Sequence, residues 1–311
     1  MAVDLAQLLV IGVSSRALFD MDEANRVYET LGLDAYIQYQ LDHADEVMSP
    51  GTGYPLIKAI LDLNTKTSGS RKAEVVIMSR NSPQTSLRMF NSIKHHGLDI
   101  QRAALAGGAS LSPYLHAFDV ALFLSRSEED VQAANAAGIA AGLIYGQPDS
   151  PFASIDPIRI AFDADAVIFS GASERIYQEQ GLEAFLRHEE ENARKPLPDG
   201  PFAKLLRAFA VLQADNSFTK PPIRLALITA RNMPAHERVI RTLLAWNVRV
   251  DEAFFLGGVN KTRVLEAFNP HIFFDDQDVH CAPASRRVPT AKVSLRAEVE
   301  VVLVRKSTKR K

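Results

Sequence analysis

A chain of 311 residues, 23% of them charged and 47% hydrophobic, has the make-up of an ordinary globular protein with room for two domains or one large one. Its net charge of −2 offers no field to hold a nucleic acid, and no apolar run reaches membrane-spanning length, so neither partner is expected.

In chain order, short apolar runs rich in β-branched residues alternate with longer stretches of helical period. This is the pattern of βα units around a parallel sheet. The predicted strands are "LLVIGV" (8–13), "VVIM" (75–78), "ALFL" (121–124), "RIAF" (159–162), "LALIT" (225–229) and "HIFF" (271–274). Each is nearly all apolar, as strands buried on both faces should be. Between them, "QTSLRMFNSIKHHG" places Leu87, Phe90 and Ile93 on one helical stripe, and "HERVIRTLLAWN" does the same with Val239, Leu243 and Trp246. These read as core-facing stripes. The breaker-rich "GQPDSPFASIDP" (146–157) reads as a linker, giving expected units of 1–150 and 151–311, the second with a helical cap over about 171–222. The single Cys281 rules out an internal disulfide, and residues 5–13 have no preceding positive charge or convincing cleavage site. A cytoplasmic protein is therefore expected, with the basic stretch 305–311 as a solvated tail. A homo-oligomer is left open.

Set against itself at an offset of 150, the chain aligns "AALAGGASLSPYLHAFDVALFLS" (103–125) with "AFFLGGVNKTRVLEAFNPHIFFD" (253–275). Gly107, Gly108, Leu115, Ala117, Phe118 and Phe123 recur in register. With a slip of one or two residues, "SRNSP" meets "ARNMP" and "RVYETLGLDAY" meets "RIYQEQGLEAF". The conserved order of matched blocks predicts two similar halves arising by internal duplication.

Chemistry separates the halves. Asp163 and Asp165 follow a strand two residues apart, so extended backbone points both toward the sheet's carboxyl edge, where open α/β sheets hold ligands. Thr229 ends the next strand, Lys261 follows a Gly-Gly turn at a helix start, and Asp275 and Asp276 end a further strand. Each feature alone is ordinary: a cap, a turn opening, a surface lysine. Their joint order supplies a nucleophile, a proton carrier, a hydroxyl, a cation and a carboxylate pair, the inventory of metal-assisted phosphoryl transfer. At offset 150 the first half puts Val13, Ser15, Ser79 or Met78, Leu111, Ser125 and Arg126 at these places, so no catalytic metal is expected there.

The order of DxD, Thr, Lys and Asp-Asp resembles the four motifs of haloacid dehalogenase-type phosphatases. "FDADAVIFS", "TARNMPAHERVIRTL", "SRNSPQTSLRMFNSIKHHGLDIQRAALAGG" and "EAFNPHIFFDDQDVH" are further similar to the cytosolic 5'-nucleotidase I family, from about residue 8 to 280. The resemblance implies a Rossmann-like fold of haloacid dehalogenase type and Mg²⁺-dependent hydrolysis of nucleoside 5'-monophosphates, AMP among them. In this reading Asp163 forms an aspartyl-phosphate and Asp165 carries the proton. Thr229, Ala230, Arg231 and Lys261 hold the phosphate, and Asp163, Asp275, Asp276 and the Asp165 carbonyl bind the metal. Candidates for gripping the nucleoside are Phe202 and Lys204 in the cap and Tyr54 and Lys58 in the first half. The alternatives are a phosphatase of the same superfamily acting on another small ester, and a noncatalytic nucleotide-binding protein.

Overall fold

In the computed structural model, residues 3–67, 71–150, 155–231 and 235–295 are described. The basic tail, residues 151–154 of the expected linker and residues 232–234 of the "ARNMP" block lie outside them. The strands are β1 (Leu9–Val13), β2 (Ala73–Ser79), β3 (Arg102–Leu105), β4 (Leu122–Ser125), β5 (Ala140–Ile144), β6 (Ile158–Phe162), β7 (Ile223–Thr229), β8 (Glu252–Phe255), β9 (Ile272–Asp275) and β10 (Thr290–Lys292). They form one sheet in the order β3-β2-β1-β4-β5-β10-β9-β6-β7-β8. All six predicted strands are present, and β3, β5, β8 and β10 join them. No helix among the described residues is long and apolar enough to cross a membrane.

The sheet is parallel within β1–β5 and within β6–β10, and antiparallel where β5 meets β10. The carboxyl ends of β1–β5 therefore line one edge of the shared sheet, and those of β6–β10 line the other. Successive side chains point to opposite faces. Leu9, Ile11, Val13, Ile160, Phe162 and Phe274 enter one large core that spans both sets of strands. Val10 and Phe123 on one side of the seam, and Ala161 and Phe273 on the other, enter two smaller cores.

The register sharpens the comparison between halves. Ser14 N donates to Leu124 O at 2.8 Å, and Asp163 N donates to Phe274 O at 2.8 Å. Ile11 pairs with Leu122 as Ile160 pairs with Ile272. The offset is thus 149 between β1 and β6 but 150 between β4 and β9, so Ser14 rather than Val13 stands at the place of Asp163, and Arg16 rather than Ser15 at that of Asp165. Two long helices, Asp22–Asp42 and Ala172–Glu191, also correspond. Each breaks at a glycine, Gly32 with φ 85° and Gly181 with φ 82°.

Two helix faces behave differently. Val239 and Leu243 are buried and Trp246 packs half-buried against Phe169, as the stripe predicts. In the Leu87–His95 helix, however, Leu87 and Phe90 are 51% and 41% exposed, and the row facing the sheet is Met89 with Ile93. A one-residue rotation of the stripe, about 100° of helix, accounts for the difference.

At the seam a side chain on Gly142 would place its Cβ 2.9 Å from both Ala291 Cβ and the Phe274 ring. Gly142→Ala is expected to cost about 1–3 kcal/mol by overpacking. Thermal unfolding should show it as a Tm lowered by about 2–4 °C per kcal/mol.

Candidate active site

The carboxyl ends of β6, β7 and β9 converge with the turn after β8. Asp163 adds one rung beyond β6 through its bond to Phe274 O, which fixes its backbone before its side chain leaves the sheet. The chain then closes tightly: Ile168 N and Phe169 N both donate to Ala164 O, at 3.1 and 2.9 Å, and Ala166 adopts φ 57°. A non-glycine residue in that region costs free energy and persists where its surroundings hold it. Here the turn it makes presents Asp165.

Asp163, Asp165, Thr229, Lys261 and Asp275 are all at most 7% exposed. Gly257 and Gly258, φ 56° and 87°, make the left-handed turn that brings Lys261 back over the strand ends. Its Nζ donates to Asp163 Oδ1 and to Asp275 Oδ2, both at 2.7 Å. Burial opposes the ammonium, yet Asp163 and Asp275 hold its pKa above the usual lysine value. Asp275 Oδ1 accepts from Gln277 N at 2.9 Å. Burial raises Asp163 against the opposing pull of Lys261, with Asp275 adding to the rise, and burial likewise raises Asp275. Asp276 is pushed up to about 8 by burial and by the charges of Asp163 and Asp275.

Oxygens of Asp163, Asp275 and Asp276 lie within 4.8 Å of one another. Three carboxylates share one ammonium, and Asp276 Oδ1 is buried with no hydrogen-bond partner. An excess of negative charge with an unsatisfied oxygen is what a hard divalent cation with oxygen ligands would relieve, so the residues fit one. The Asp165 carboxylate stands apart from this trio. Arg231 grips both of its oxygens, through Nε at 2.7 Å and Nη2 at 2.6 Å. Thr229 Oγ1 accepts from Arg231 N at 3.2 Å.

These groups open into a cavity of about 290 Å³ that Thr229, Ala230, Arg231 and Lys261 all line. Its opposite wall comes from the Ala172–Glu191 helix, through Glu174, Tyr177, Leu182 and Phe185, with Gln277 and His280 at one side. None of these six was singled out from the sequence. Their signal lies in the break at Gly181, which turns the helix so that Tyr177 and Phe185, from either side of it, meet edge to face at 6.2 Å.

The four nucleoside candidates fall elsewhere. Phe202 is fully buried against Phe162 and Phe274, and Lys204 is exposed on the Ala203–Gln213 helix, which packs Leu205, Leu206 and Phe209 into the core. Only the Ala172–Glu191 part of the expected cap segment reaches the cavity. Tyr54 packs on Phe19 and His96, and Lys58 pairs with Asp62 at 2.6 Å. The loop leading to Tyr54 bonds Gly53 N to Ala17 O, just past the carboxyl end of β1, on the sheet edge opposite to Asp163.

A family model described as 5'-nucleotidase matches residues 1–300. Human cytosolic 5'-nucleotidase 1B is 36% identical over 289 residues, which is 89% of this chain and 47% of that protein. The chain thus spans about half the length of the curated relative it matches. A crystal structure of histidinol dehydrogenase from Elizabethkingia anophelis covers 90% of this chain and 66% of that one, at 12% identity and a TM-score of 0.25, too low to bear on the fold.

A cation held by the acidic trio stabilises the folded state by mass action, about 2.7 kcal/mol at a hundred times its Kd. Thermal unfolding should therefore show Mg²⁺ raising the Tm of the wild type and losing that effect in Asp275→Asn. An equal shift in both proteins would place the cation elsewhere.

Proposed function

The chain belongs to the 5'-nucleotidase family, and from that premise we propose that it is a Mg²⁺-dependent phosphatase releasing phosphate from nucleoside 5'-monophosphates, AMP among them. The observation that carries this reading is the convergence of Asp163, Lys261, Asp275 and Asp276 beside Asp165 on one sheet edge, where Asp163, Asp165 and Lys261 line one cavity. Mg²⁺ would be held by Asp163, Asp275, Asp276 and the main-chain carbonyl of Asp165. It would supply charge neutralisation for an incoming phosphate.

The chain's own groups divide the remaining work. Asp163 attacks phosphorus and forms an aspartyl-phosphate, which splits one difficult hydrolysis into two easier steps. Asp165 gives a proton to the departing 5'-oxygen and takes one from the water that cleaves the intermediate. Thr229, with the backbone amides of Ala230 and Arg231, binds the phosphate oxygens, and Lys261 offsets charge between phosphate and Asp163. Tyr177, Leu182 and Phe185 give the cavity an apolar wall of the kind a planar base requires.

The symmetric strand order, the antiparallel seam and the paired helix breaks at Gly32 and Gly181 support a duplicated fold of haloacid dehalogenase type. In it residues 1–150 form the half without chemistry and 151–311 the catalytic half. At the matching places the first half has Ser14, Arg16, Leu111, Ser125 and Arg126, which make neither an acyl-phosphate nor a metal site. The human relative is by its name a cytosolic protein, and we extend that assignment to this chain.

Asp163→Asn should fold normally and release no phosphate, because a nearly isosteric amide cannot form the acyl-phosphate. Wild-type turnover in that variant ends the mechanism. Asp165→Asn should lose roughly two to four orders of magnitude in kcat. Phosphate release measured over nucleoside monophosphates, sugar phosphates and glycerol phosphate, with and without EDTA, tests substrate class and metal together. Activity that survives exhaustive chelation, or that favours the non-nucleoside esters, counts against the proposal.

A further inference from the structure

Arg231 does more than hold Asp165. Its remaining nitrogen, Nη1, donates to Glu189 Oε2 at 2.6 Å. Glu189 Oε1 in turn accepts from Ser173 Oγ at 2.8 Å and from Arg238 Nη1 at 2.9 Å. Arg238 Nε is anchored on the Lys195 carbonyl at 3.0 Å. Glu189 is 1% exposed, Arg231 5% and Arg238 7%. Two carboxylates and two guanidiniums thus form a closed, neutral, buried set.

Glu189 is the junction of that set. It ties both ends of the Ala172–Glu191 helix, through Ser173 and itself, to the helix that carries Arg238 and to the loop after β7 that carries Arg231. A guanidinium is a rigid planar fork, so a partner on its far nitrogen fixes the plane in which the other two nitrogens point. Those two nitrogens are the ones on Asp165.

The other half supplies a contrast inside the same chain. Eight residues beyond its helix break, where Glu189 stands after Gly181, Gln40 stands after Gly32. Asn81 takes the place of Arg231 two residues past its strand, and Arg16 takes that of Asp165. Asn81 Oδ1 accepts from Tyr36 OH at 3.3 Å, a neutral bond in place of a charged fork. Arg88, at the place of Arg238, turns instead to the Glu46 carbonyl. The broken helix forms without the charged set, so the helix itself does not require it.

We infer that Glu189 is a positioning residue for this reaction: through Arg231 it orients the Asp165 carboxylate over the cavity and locks that orientation to the placement of the wall formed by the Ala172–Glu191 helix. The inference rests on the reading of Asp165 as proton carrier. It requires no contact between Glu189 and substrate, and Glu189 does not line the cavity.

A double-mutant cycle on the Mg²⁺-loaded full chain tests it, with kcat and KM for AMP and the Tm measured for every variant. Glu189→Gln should lower kcat by about 10–100-fold with KM within about twofold, the loss expected when a reacting group is slightly misplaced. Glu189→Asp should recover part of it. Because Glu189 acts through Asp165, the double variant Glu189→Gln/Asp165→Asn should be no slower than Asp165→Asn alone. A lowered Tm with unchanged kcat, a raised KM with unchanged kcat, or multiplying effects in the double variant each overturn the inference. Wild-type kcat in Asp165→Asn alone refutes the acid–base reading instead, whatever Glu189→Gln does. Should Glu189→Gln fail to fold, Ser173→Ala loosens the same carboxylate more gently. It is expected to give a smaller kcat loss that also vanishes in the Asp165→Asn background, and a loss that persists there overturns the inference.

Discussion

One buried ammonium stands between two buried carboxylates, and the sheet edge where β6, β7 and β9 end is arranged around it. Asp163 and Asp275 end neighbouring strands, and their charges could not both be kept out of water without Lys261 bridging them at 2.7 Å on each side. The bridge is incomplete by design of the charges: Asp276 remains, with a buried oxygen that nothing satisfies. The trio therefore keeps an excess of carboxylate that a divalent cation would relieve. The turn at Gly257 and Gly258 is what allows Lys261 to arrive from a different strand.

A second balanced set lies next to the first and does the opposite work. Asp165, Arg231, Glu189 and Arg238 cancel one another completely and leave no demand for an ion. Asp163 and Asp165, two residues apart, thus face different electrostatic surroundings. That difference lets two chemically identical side chains take the two roles proposed for them, one as nucleophile and one as proton carrier.

Asp163, Asp165, Thr229, Asp275 and Asp276 were legible in the sequence because they sit at or just past the carboxyl ends of strands buried on both faces, where an apolar run stops at a polar group, and Lys261 because it follows the Gly257–Gly258 turn at a helix start. Strands without that contrast were not. β3 and β8 are half-exposed edge strands, β5 opens on Ala-Ala-Gly before Leu143 and Ile144, and β10 has three residues. The cavity wall was hidden for another reason. Tyr177, Leu182 and Phe185 meet over the strand ends only because the helix breaks at Gly181, a backbone event that periodicity cannot show. Within "RHEEENARK" nothing in composition marks Glu189, alone of its run of three glutamates, as the one that is buried. The aromatic candidates, Phe202 and Tyr54, are large side chains spent on packing, and Tyr54 belongs to the far edge of the sheet.

The antiparallel seam between β5 and β10 has a consequence for how the two halves can exist. Neither half contains a closed sheet. Separated, each would present a strand with a row of unpaired amide and carbonyl groups, flanked by apolar surface from the core that now spans both. Such an edge pairs readily with any other strand, including its own copy. Residues 1–150 are in this sense a permanently attached edge guard for β10, and β10 is the same for β5.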